Sequence, residues 1–281
     1  MAIFVPEVAA PYLMKEIDKR LVISNAALDI SADVPELAWK GSEITFPVYS
    51  RVAVASAVTA KGSVTPTEID GSSSTAAIKH FAAAVKYHKD TLRQSGGPIL
   101  QNMAITDLAD AIALKLDADL METAIAGATL KAACAEADAI TQDELEAAFA
   151  LFGDKQNANE FAGVYINSKL FPSLLAMDGF TATGLTYTTP NNGIVQGQCV
   201  GFYRGAPVWL TDNSNRSGSA PECKTLIVKH GGLGKARKAE PEFSEEYHAT
   251  TFYTDVVADV YGAHKVLDDS KVVLLAKTIT G

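Results

Sequence analysis

Three segments between residues 44 and 126 follow one another in an order that few folds accommodate. A strand pattern that contains proline runs from Ile44 to Val58, and a polar stretch rich in glycine and serine follows from Thr59 to Thr75. A second alternating strand then runs from Ile78 to His88, and a long amphipathic helix begins soon after it. An isolated two-stranded hairpin is marginally stable in water and exposes two unpaired edges. The order therefore predicts an extended arm that a neighbouring subunit covers.

Each strand of this predicted arm has one apolar face. In the first strand Ile44, Phe46 and Val48 lie on one face, and residues 45, 47 and 49 lie on the other. Pro47 lies between them and cannot donate to a strand ladder, so the first strand is expected at an edge. In the second strand a period of two places four residues on one face, which are Phe81, Ala83, Val85 and Tyr87. Glycine, proline and serine between the strands predict a flexible tip.

A long helix is predicted from Ile105 to Ala126. Thr106 can cap its first turn, and Gly127 follows its last residue, as is typical of a helix end. Two apolar stripes run along it, one formed by Ile105, Leu108, Ile112, Leu116 and Leu120 and the other by Leu114, Ala118, Met121 and Ile125. A helix that is apolar on two sides is expected to be buried on two sides, so this helix is predicted to be the structural spine of the fold.

The second half of the chain predicts strands and helices that are segregated rather than arranged in regular strand–helix–strand units. Thr141 and Glu144 form a capping box for a helix that ends before Gly153. A long, half-buried strand is predicted from Phe252 to Tyr261, and a last strand from Val272 to Ala276. The predicted fold class is therefore α+β.

Composition and charge limit the classes of function. With 281 residues, of which 48% are hydrophobic and 20% charged, the chain is expected to form one large or two modest globular domains. A net charge of −9 disfavours a surface that wraps nucleic acid. The first residues predict an arm with a short helix from Tyr12 to Leu21, or alternatively a frayed terminus. Neither a signal peptide nor a membrane span of ~20 apolar residues is indicated, so a soluble cytosolic protein is expected.

No motif in the sequence predicts an enzyme. The five histidines show no metal-ligand spacing, and the three cysteines, widely separated, are expected to be reduced thiols. Gly231 to Lys235 resembles a phosphate loop but lacks its first glycine and the hydroxyl residue after the lysine, so a turn between strands is predicted. Acidic residues 240–246 next to basic residues 235–238 predict a solvated or intersubunit charge face. We therefore expect no catalytic residue, cofactor or metal.

Several stretches together resemble the major capsid proteins of tailed bacteriophages. Residues 41–49 are similar to the first strand of that family's extended loop, and Lys79 to Asp90 is similar to its returning strand. Ile105 to Ala126 is similar to the family's spine helix. Strands of the axial domain and the long closing strands resemble residues 201–208, 226–236 and 255–274. No single motif is specific, and the order of the stretches over nearly the whole chain carries the resemblance.

The resemblance implies a phage major-capsid fold with four parts. These are an N-terminal arm (1–43), an extended β-hairpin loop (44–90), a peripheral domain with the long spine helix (91–135 and 236–262) and an axial domain (136–235 and 263–281). The implied function is a structural protein that self-assembles into pentamers and hexamers of an icosahedral or prolate head around double-stranded DNA. Such a protein is assembled in the host cytoplasm and located in the virion. Its implied partners are copies of itself, a separate scaffolding protein, a portal, decoration proteins and DNA contacted non-specifically, with no membrane.

The extended loop supplies the candidate intersubunit contacts, which are Phe46, Val48, Arg51, Lys61, Phe81 and Val85. Some members of the family crosslink a loop lysine to an asparagine of a neighbour. Lys61 lies near the tip of the loop, but neither its partner nor a carboxylate catalyst can be identified, and a solvated or charge-paired lysine is favoured. Two other interpretations stay open, namely an encapsulin-like nanocompartment shell that packages protein cargo, and a soluble enzyme or binding module with dispersed site residues.

Overall fold

The computed structural model describes residues 6–34, 41–49, 71–94, 97–134, 139–182, 199–213, 216–217, 222–238 and 241–278. Its α-helices are α1 (Pro6–Arg20), α2 (Lys89–Gln94), α3 (Gly97–Gly127), α4 (Gln142–Ala150) and α5 (Phe171–Leu175). Its strands are β1 (Leu28–Asp29), β2 (Glu43–Tyr49), β3 (Gly71–Ala77), β4 (Lys79–His88), β5 (Leu130–Ala132), β6 (Phe161–Ile166), β7 (Phe180–Ala182), β8 (Cys199–Tyr203), β9 (Ala206–Leu210), β10 (Arg216–Ser217), β11 (Glu222–Lys229), β12 (Leu233–Arg237), β13 (Glu242–His248), β14 (Tyr253–Val266) and β15 (Val272–Thr278). The predicted α+β class is confirmed.

The described strands form three sheets. In a five-stranded sheet, β4 pairs along one side of β14, while β13 and β12 share its other side and β1 pairs in parallel with β12. An eight-stranded sheet has the order β5-β15-β11-β6-β9-β8-β7, with β10 beside β11. Strands β2 and β3 form a separate two-stranded hairpin.

Helix α3 is the predicted spine, and it is longer than the sequence indicated. It begins at Gly97, so Thr106 lies within the helix and does not cap it. Pro98 occupies the first turn, where the missing N–H of proline is tolerated. Every residue of the first predicted stripe is buried, but Leu114 of the second stripe is 53% exposed. Gly127 is the last helical residue, and its role is a close approach, since a Cβ there would lie 2.6 Å from Cγ2 of Val266.

The spine helix contributes to two successive hydrophobic clusters. Leu108, Ile112 and Leu116 pack against the buried face of the five-stranded sheet, whereas Leu120 and Met121 pack against the eight-stranded sheet. Helix α1 lies along the first of these clusters, where Leu13 and Ile17 are completely buried. The short helix predicted from Tyr12 to Leu21 is thus present within α1, and it is docked on the spine and not frayed, as the alternative prediction had it.

The pairing of the arm differs from the prediction. Strand β2 pairs with β3, from Glu43 opposite Ala77 to Tyr49 opposite Gly71, and not with the strand that begins near Ile78. That later strand, β4, pairs instead with β14 over ten residue pairs. The chain changes sheets at Ile78, whose N–H donates to the carbonyl of Ser42. The predicted flexible tip therefore contains a strand, and the described hairpin is shorter than expected.

Local sequence signals are confirmed elsewhere in the chain. The capping box of Thr141 and Glu144 is present at the start of α4, and Gly153 follows the helix with a positive φ of 61°. The glycine-rich stretch that resembled a phosphate loop is a turn that leads from β11 into β12. The long strand β14 begins one residue later than predicted, because Phe252 has a φ of 57° and belongs to the turn before it.

Candidate assembly interface

Phe46 lies in the interior of its own chain. Its side chain is completely buried, in a cluster that the hairpin residues Ile44 and Ala76 form with Ala236 and Ala263 of the five-stranded sheet. Val48, on the same strand, is half-buried. This cluster docks the base of the hairpin on β12 and β14. A contact between the hairpin and a neighbouring molecule would therefore use its other face, where Thr45 and Pro47 are exposed.

Phe81 and Val85 also face the interior of the chain. Phe81 is buried and Val85 is half-buried, and both pack in the cluster between β4, β14 and the spine helix. The period-two pattern of this strand is confirmed, since His80 and Lys86 lie on the exposed face. The remaining candidates, Arg51 and Lys61, lie outside the described residues. The intersubunit role of all six candidates stays a prediction.

A charged network joins the start of β4 to the spine helix. The carboxylate of Asp119 accepts hydrogen bonds from Lys79 Nζ at 2.5 Å and from His264 Nδ1 at 2.8 Å. Burial raises the pKa of this carboxyl, but the hydrogen bonds from His264 and Lys79 outweigh burial and hold the pKa below its usual value. Lys79 directly follows Ile78, where the chain changes sheets. This network therefore fixes the point where the chain passes from the hairpin into the five-stranded sheet.

A second buried carboxylate anchors the segment that follows α1. Asp117 accepts hydrogen bonds from the backbone N–H of Val22 at 2.6 Å and of Ser24 at 3.1 Å, and from Ser24 Oγ at 2.7 Å. Burial dominates here and raises the pKa of Asp117 despite these donors. The sequence analysis missed both carboxylates. The available signal was their position between Leu116 and Leu120, where the helix is buried on both sides.

The solvent face of the five-stranded sheet is rich in charged and aromatic side chains. His80 Nε2 lies 2.7 Å from an oxygen of Asp259, and the His80 ring stacks on Tyr261 with 4.5 Å between ring centroids. On the same face, His248 Nε2 lies 3.0 Å from an oxygen of Asp255. These two contacts pair charged groups of this face within the chain. The charge face expected at residues 235–246 stays a prediction.

Exposed aromatic residues gather at one end of this sheet, where the turn from β13 to β14 is located. Tyr247, Phe252 and Tyr253 are all exposed there, and the ring of His88 meets Tyr253 edge-on with 4.9 Å between centroids. Exposed aromatic side chains favour protein contacts, because they bury much apolar area with few rotatable bonds. This end of the sheet is thus a second surface suited to an interface.

Metal-binding side chains and thiols were candidates for a chemical site in the described residues. No group of three or more His, Cys, Asp or Glu side chains among them is arranged to hold a metal ion. Cys134, Cys199 and Cys223 form no disulfide, and burial raises the pKa of the Cys134 thiol to about 11. A search of the helices in the described ranges finds none long and apolar enough to cross a membrane.

Comparison with known proteins gives a likeness in structure alone. No family model matches the chain, and no curated protein matches it in sequence. The capsid of Ralstonia phage GP4 matches with a TM-score of 0.64 and 10% identity, over 94% of this chain and 92% of that one. The capsid of cyanophage P-SCSP1u matches with a TM-score of 0.62 and 11% identity, over 92% and 89%. A virus-like particle from Pyrococcus furiosus matches with a TM-score of 0.59 and 11% identity, over 96% and 98%.

These likenesses extend over nearly the full length of the chains compared, so they concern the whole architecture and not one common motif. Identities of 10–11% show the fold alone. The chain has the phage major-capsid fold, as its resemblance in sequence implied.

Proposed function

We propose that this chain is the structural subunit of a protein shell and not an enzyme. One observation carries the proposal, which is the likeness of 94% of the chain to the capsid of a Ralstonia phage. A second support is the group of exposed aromatic side chains at one end of the five-stranded sheet, which suits a contact between proteins.

In this proposal the chain self-assembles into pentamers and hexamers of an icosahedral or prolate phage head that encloses double-stranded DNA. Residues 91–135 and 236–262 would form the peripheral domain, and residues 136–235 and 263–281 the axial domain. The exposed face of the hairpin, together with Arg51 and Lys61, would contact a neighbour. Phe46, Phe81 and Val85 would support that contact indirectly by fixing the hairpin and its base. Obligate interfaces of this kind bury on the order of 2,000–5,000 Å², and many such contacts act together.

The proposed partners follow from the same reasoning. Copies of the chain are the principal partner, with a separate scaffolding protein, a portal and decoration proteins as further ones. A net charge of −9 implies that DNA is enclosed with few contacts and without sequence specificity. Assembly would take place in the host cytoplasm, and the product would be part of the virion.

A second candidate function is a nanocompartment shell that packages protein in place of a genome. The observation that favours it is the likeness to the virus-like particle from Pyrococcus furiosus, which covers 96% of this chain and 98% of that one. The two candidates share the shell and differ in its contents.

Negative-stain electron microscopy and size-exclusion chromatography with light scattering test the proposal. Closed shells, rings of subunits or tubes are expected, alone or with a co-expressed scaffolding protein. Packaged DNA would favour the phage head, and a co-purified protein cargo would favour the nanocompartment. A protein that stays monomeric under all these conditions, and that binds a small ligand saturably, would contradict both shell functions.

Deletion of residues 59–70 tests the role of the loop in assembly. The deletion stops short of Gly71, where β3 begins, so the described hairpin is left intact. We expect a folded subunit that does not form closed shells. A matched control replaces the same residues with a glycine–serine segment of equal length. Normal particles from the deletion would show that the loop is dispensable for assembly.

A further inference from the structure

Phe252, which directly precedes β14, has a backbone conformation that disfavours its own side chain. Its φ of 57° lies in the left-handed region, where every residue with a Cβ atom is strained and glycine is not. Two hydrogen bonds hold the backbone there, because the N–H of Phe252 donates to the carbonyl of His248 at 2.9 Å and its carbonyl accepts from the N–H of Lys89 at 2.9 Å. A glycine at position 252 would form both hydrogen bonds without the strain.

Packing within the chain does not explain the phenylalanine at this position. The side chain of Phe252 is 52% exposed, and its ring contacts no other aromatic ring among the described residues. Arg204 is the other described residue that has a positive φ and is not glycine, and its guanidinium binds Glu146 at 2.9 Å and lies over the ring of Phe149. Strained residues are typical of functional positions. The exposed ring of Phe252 is therefore suited to contact another molecule.

The area of the exposed aromatic group limits the kind of partner. Tyr247 and Tyr253 flank Phe252, and all three are between 38% and 52% exposed. Since an aromatic side chain buries about 150–250 Å² when it is covered, the exposed parts of the three amount to roughly 300 Å². A contact of this size is too small to hold two proteins together alone, and it suits a partner that other contacts already hold nearby. A second copy of the shell subunit is such a partner.

Charges of opposite sign lie on the two sides of this aromatic group. Lys89 follows β4 on one side of β14, and Glu246 lies in β13 on the other side. Both are exposed, and neither has an ion-pair partner among the described residues, whereas the neighbouring Lys86 pairs with Asp255. A two-fold axis beside the end of β14 exchanges the two sides, so it would bring Lys89 of each copy next to Glu246 of the other. This surface is thus complementary to itself.

We propose that the end of β14 contacts the same surface of a second copy across a two-fold axis, with Phe252 as the anchor. The aromatic side chains of the two copies would pack against one another. Two ion pairs between Lys89 and Glu246 would select this orientation over others. The contact deepens the proposed shell function, and it rests on that function for the further contacts that hold the copies close together.

Crosslinking of full-length chains tests the pairing of Lys89 with Glu246. Chains with Lys89→Cys and chains with Glu246→Cys, one of them carrying a mass tag, are co-expressed and treated with a short bis-maleimide, whose spacer replaces the length of the two side chains. We expect products that join a tagged chain to an untagged chain well above the share that random pairing gives. The unmodified chain is the control for its native thiols. Random proportions, or no crosslinked product, would overturn the proposal.

Phe252→Gly tests the anchor. In both cysteine chains it is expected to lower the amount of mixed product about fivefold, while the melting temperature stays the same or rises because the strain is relieved. Leu175→Ala is the matched control, since it truncates an apolar side chain that is also 52% exposed and should leave crosslinking unchanged. Unchanged crosslinking in Phe252→Gly, or a melting temperature lowered by several degrees, would contradict the role of the ring.

Exchange of the two charges tests the two-fold axis. Lys89→Glu and Glu246→Lys each place like charges opposite each other at both ion pairs, so each is expected to reduce the associated fraction in sedimentation velocity. Both substitutions in one chain restore opposite charges and are expected to recover association. A double variant that associates as weakly as the single variants would refute the pairing.

Failure of this contact and failure of the shell function are distinguishable. Shells without the mixed crosslink would overturn the contact alone, and mixed crosslinks without shells would support the contact and count against the shell. A crosslink from either cysteine to a different co-expressed protein, with none between copies, would assign this surface to that protein and overturn the proposal.

Discussion

Replacement of Asp117 by alanine is expected to release the segment after helix α1 from the spine. Asp117 is only 1% exposed, and its carboxylate is the acceptor for three donors of Val22 and Ser24. These residues are 93 and 95 positions away in sequence, so the contact joins distant parts of the chain. Alanine supplies no acceptor, so the three donors would lack partners as long as the segment stays docked, and this cost favours its release.

The expected change in the free energy of unfolding for Asp117→Ala is the difference between two opposing contributions. A buried donor that loses its acceptor costs about 1–3 kcal/mol, so three donors could cost up to about 9 kcal/mol. Against this, removal of a buried carboxylate returns a desolvation penalty of about several kcal/mol. Burial raises the pKa of Asp117, which indicates that this penalty is substantial. We expect a net loss of about 3 kcal/mol in the free energy of unfolding for Asp117→Ala, and roughly half of that for Asp117→Asn, which keeps one acceptor.

Urea unfolding followed by far-ultraviolet circular dichroism measures this loss. Asp107→Ala is the matched control, because Asp107 is exposed on the same helix and its replacement should cost less than about 0.5 kcal/mol. Hydrogen exchange at residues 22–26 should accelerate in Asp117→Ala if the segment detaches. An Asp117→Ala protein that unfolds within about 0.5 kcal/mol of the unmodified chain, with unchanged exchange, would refute the reasoning.

Three further predictions concern the core, a close approach and a charged group. Leu116→Asp is expected to prevent folding because it buries an unpaired charge, whereas the control Leu114→Asp, at an exposed position, should fold. Size-exclusion chromatography distinguishes a folded from an unfolded variant, and a compact Leu116→Asp protein would mean that the core is misassigned. Gly127→Val is expected to lower stability by about 2 kcal/mol through overpacking against Val266, and an unchanged melting temperature would show that the contact relaxes freely. The pKa of Asp119 is lowered in the folded chain, so its stabilising contribution is present above the unfolded pKa and is lost as pH falls through the folded pKa. In a plot of the urea unfolding midpoint against pH, Asp119→Asn should therefore lose less stability at acid pH than the unmodified chain. Parallel plots for the two proteins would contradict this.

The sequence predicts those features whose signals are local. The capping box at Thr141 and the buried stripe through Leu116 are confirmed, because capping and helical periodicity depend on residues within a turn or two. The capping role predicted for Thr106 was wrong, because Thr106 has a suitable side chain for a cap but nothing between Pro98 and Thr106 breaks the helix. A capping signal shows where a helix can begin, and it does not show that the helix begins there.

The pairing of the strands and the hydrogen-bond partners of the buried carboxylates could not be predicted from local signals. A period of two assigns faces but not partners, so β4 could pair with the strand after Ser42 or with a strand much later in the chain. The run from Ser72 to Ser74 has little strand propensity, and its pairing with β2 is a tertiary effect. The partners of Asp117 and Asp119 lie between 40 and 145 residues away. The position of the two carboxylates on the helix indicates that they are buried, but nothing local in the sequence identifies these partners.

The state of the thiols has a practical consequence for chemical labelling. Thiolate is the form that reacts with alkylating reagents, and a pKa of about 11 at Cys134 leaves roughly one molecule in a thousand reactive near pH 8. Cys199 and Cys223 are buried, and burial also raises the pKa of Cys199. A cysteine introduced at an exposed position such as Ser244 would therefore react far faster than the three native ones. Fluorophores or cargo could be attached there without first removing the native cysteines.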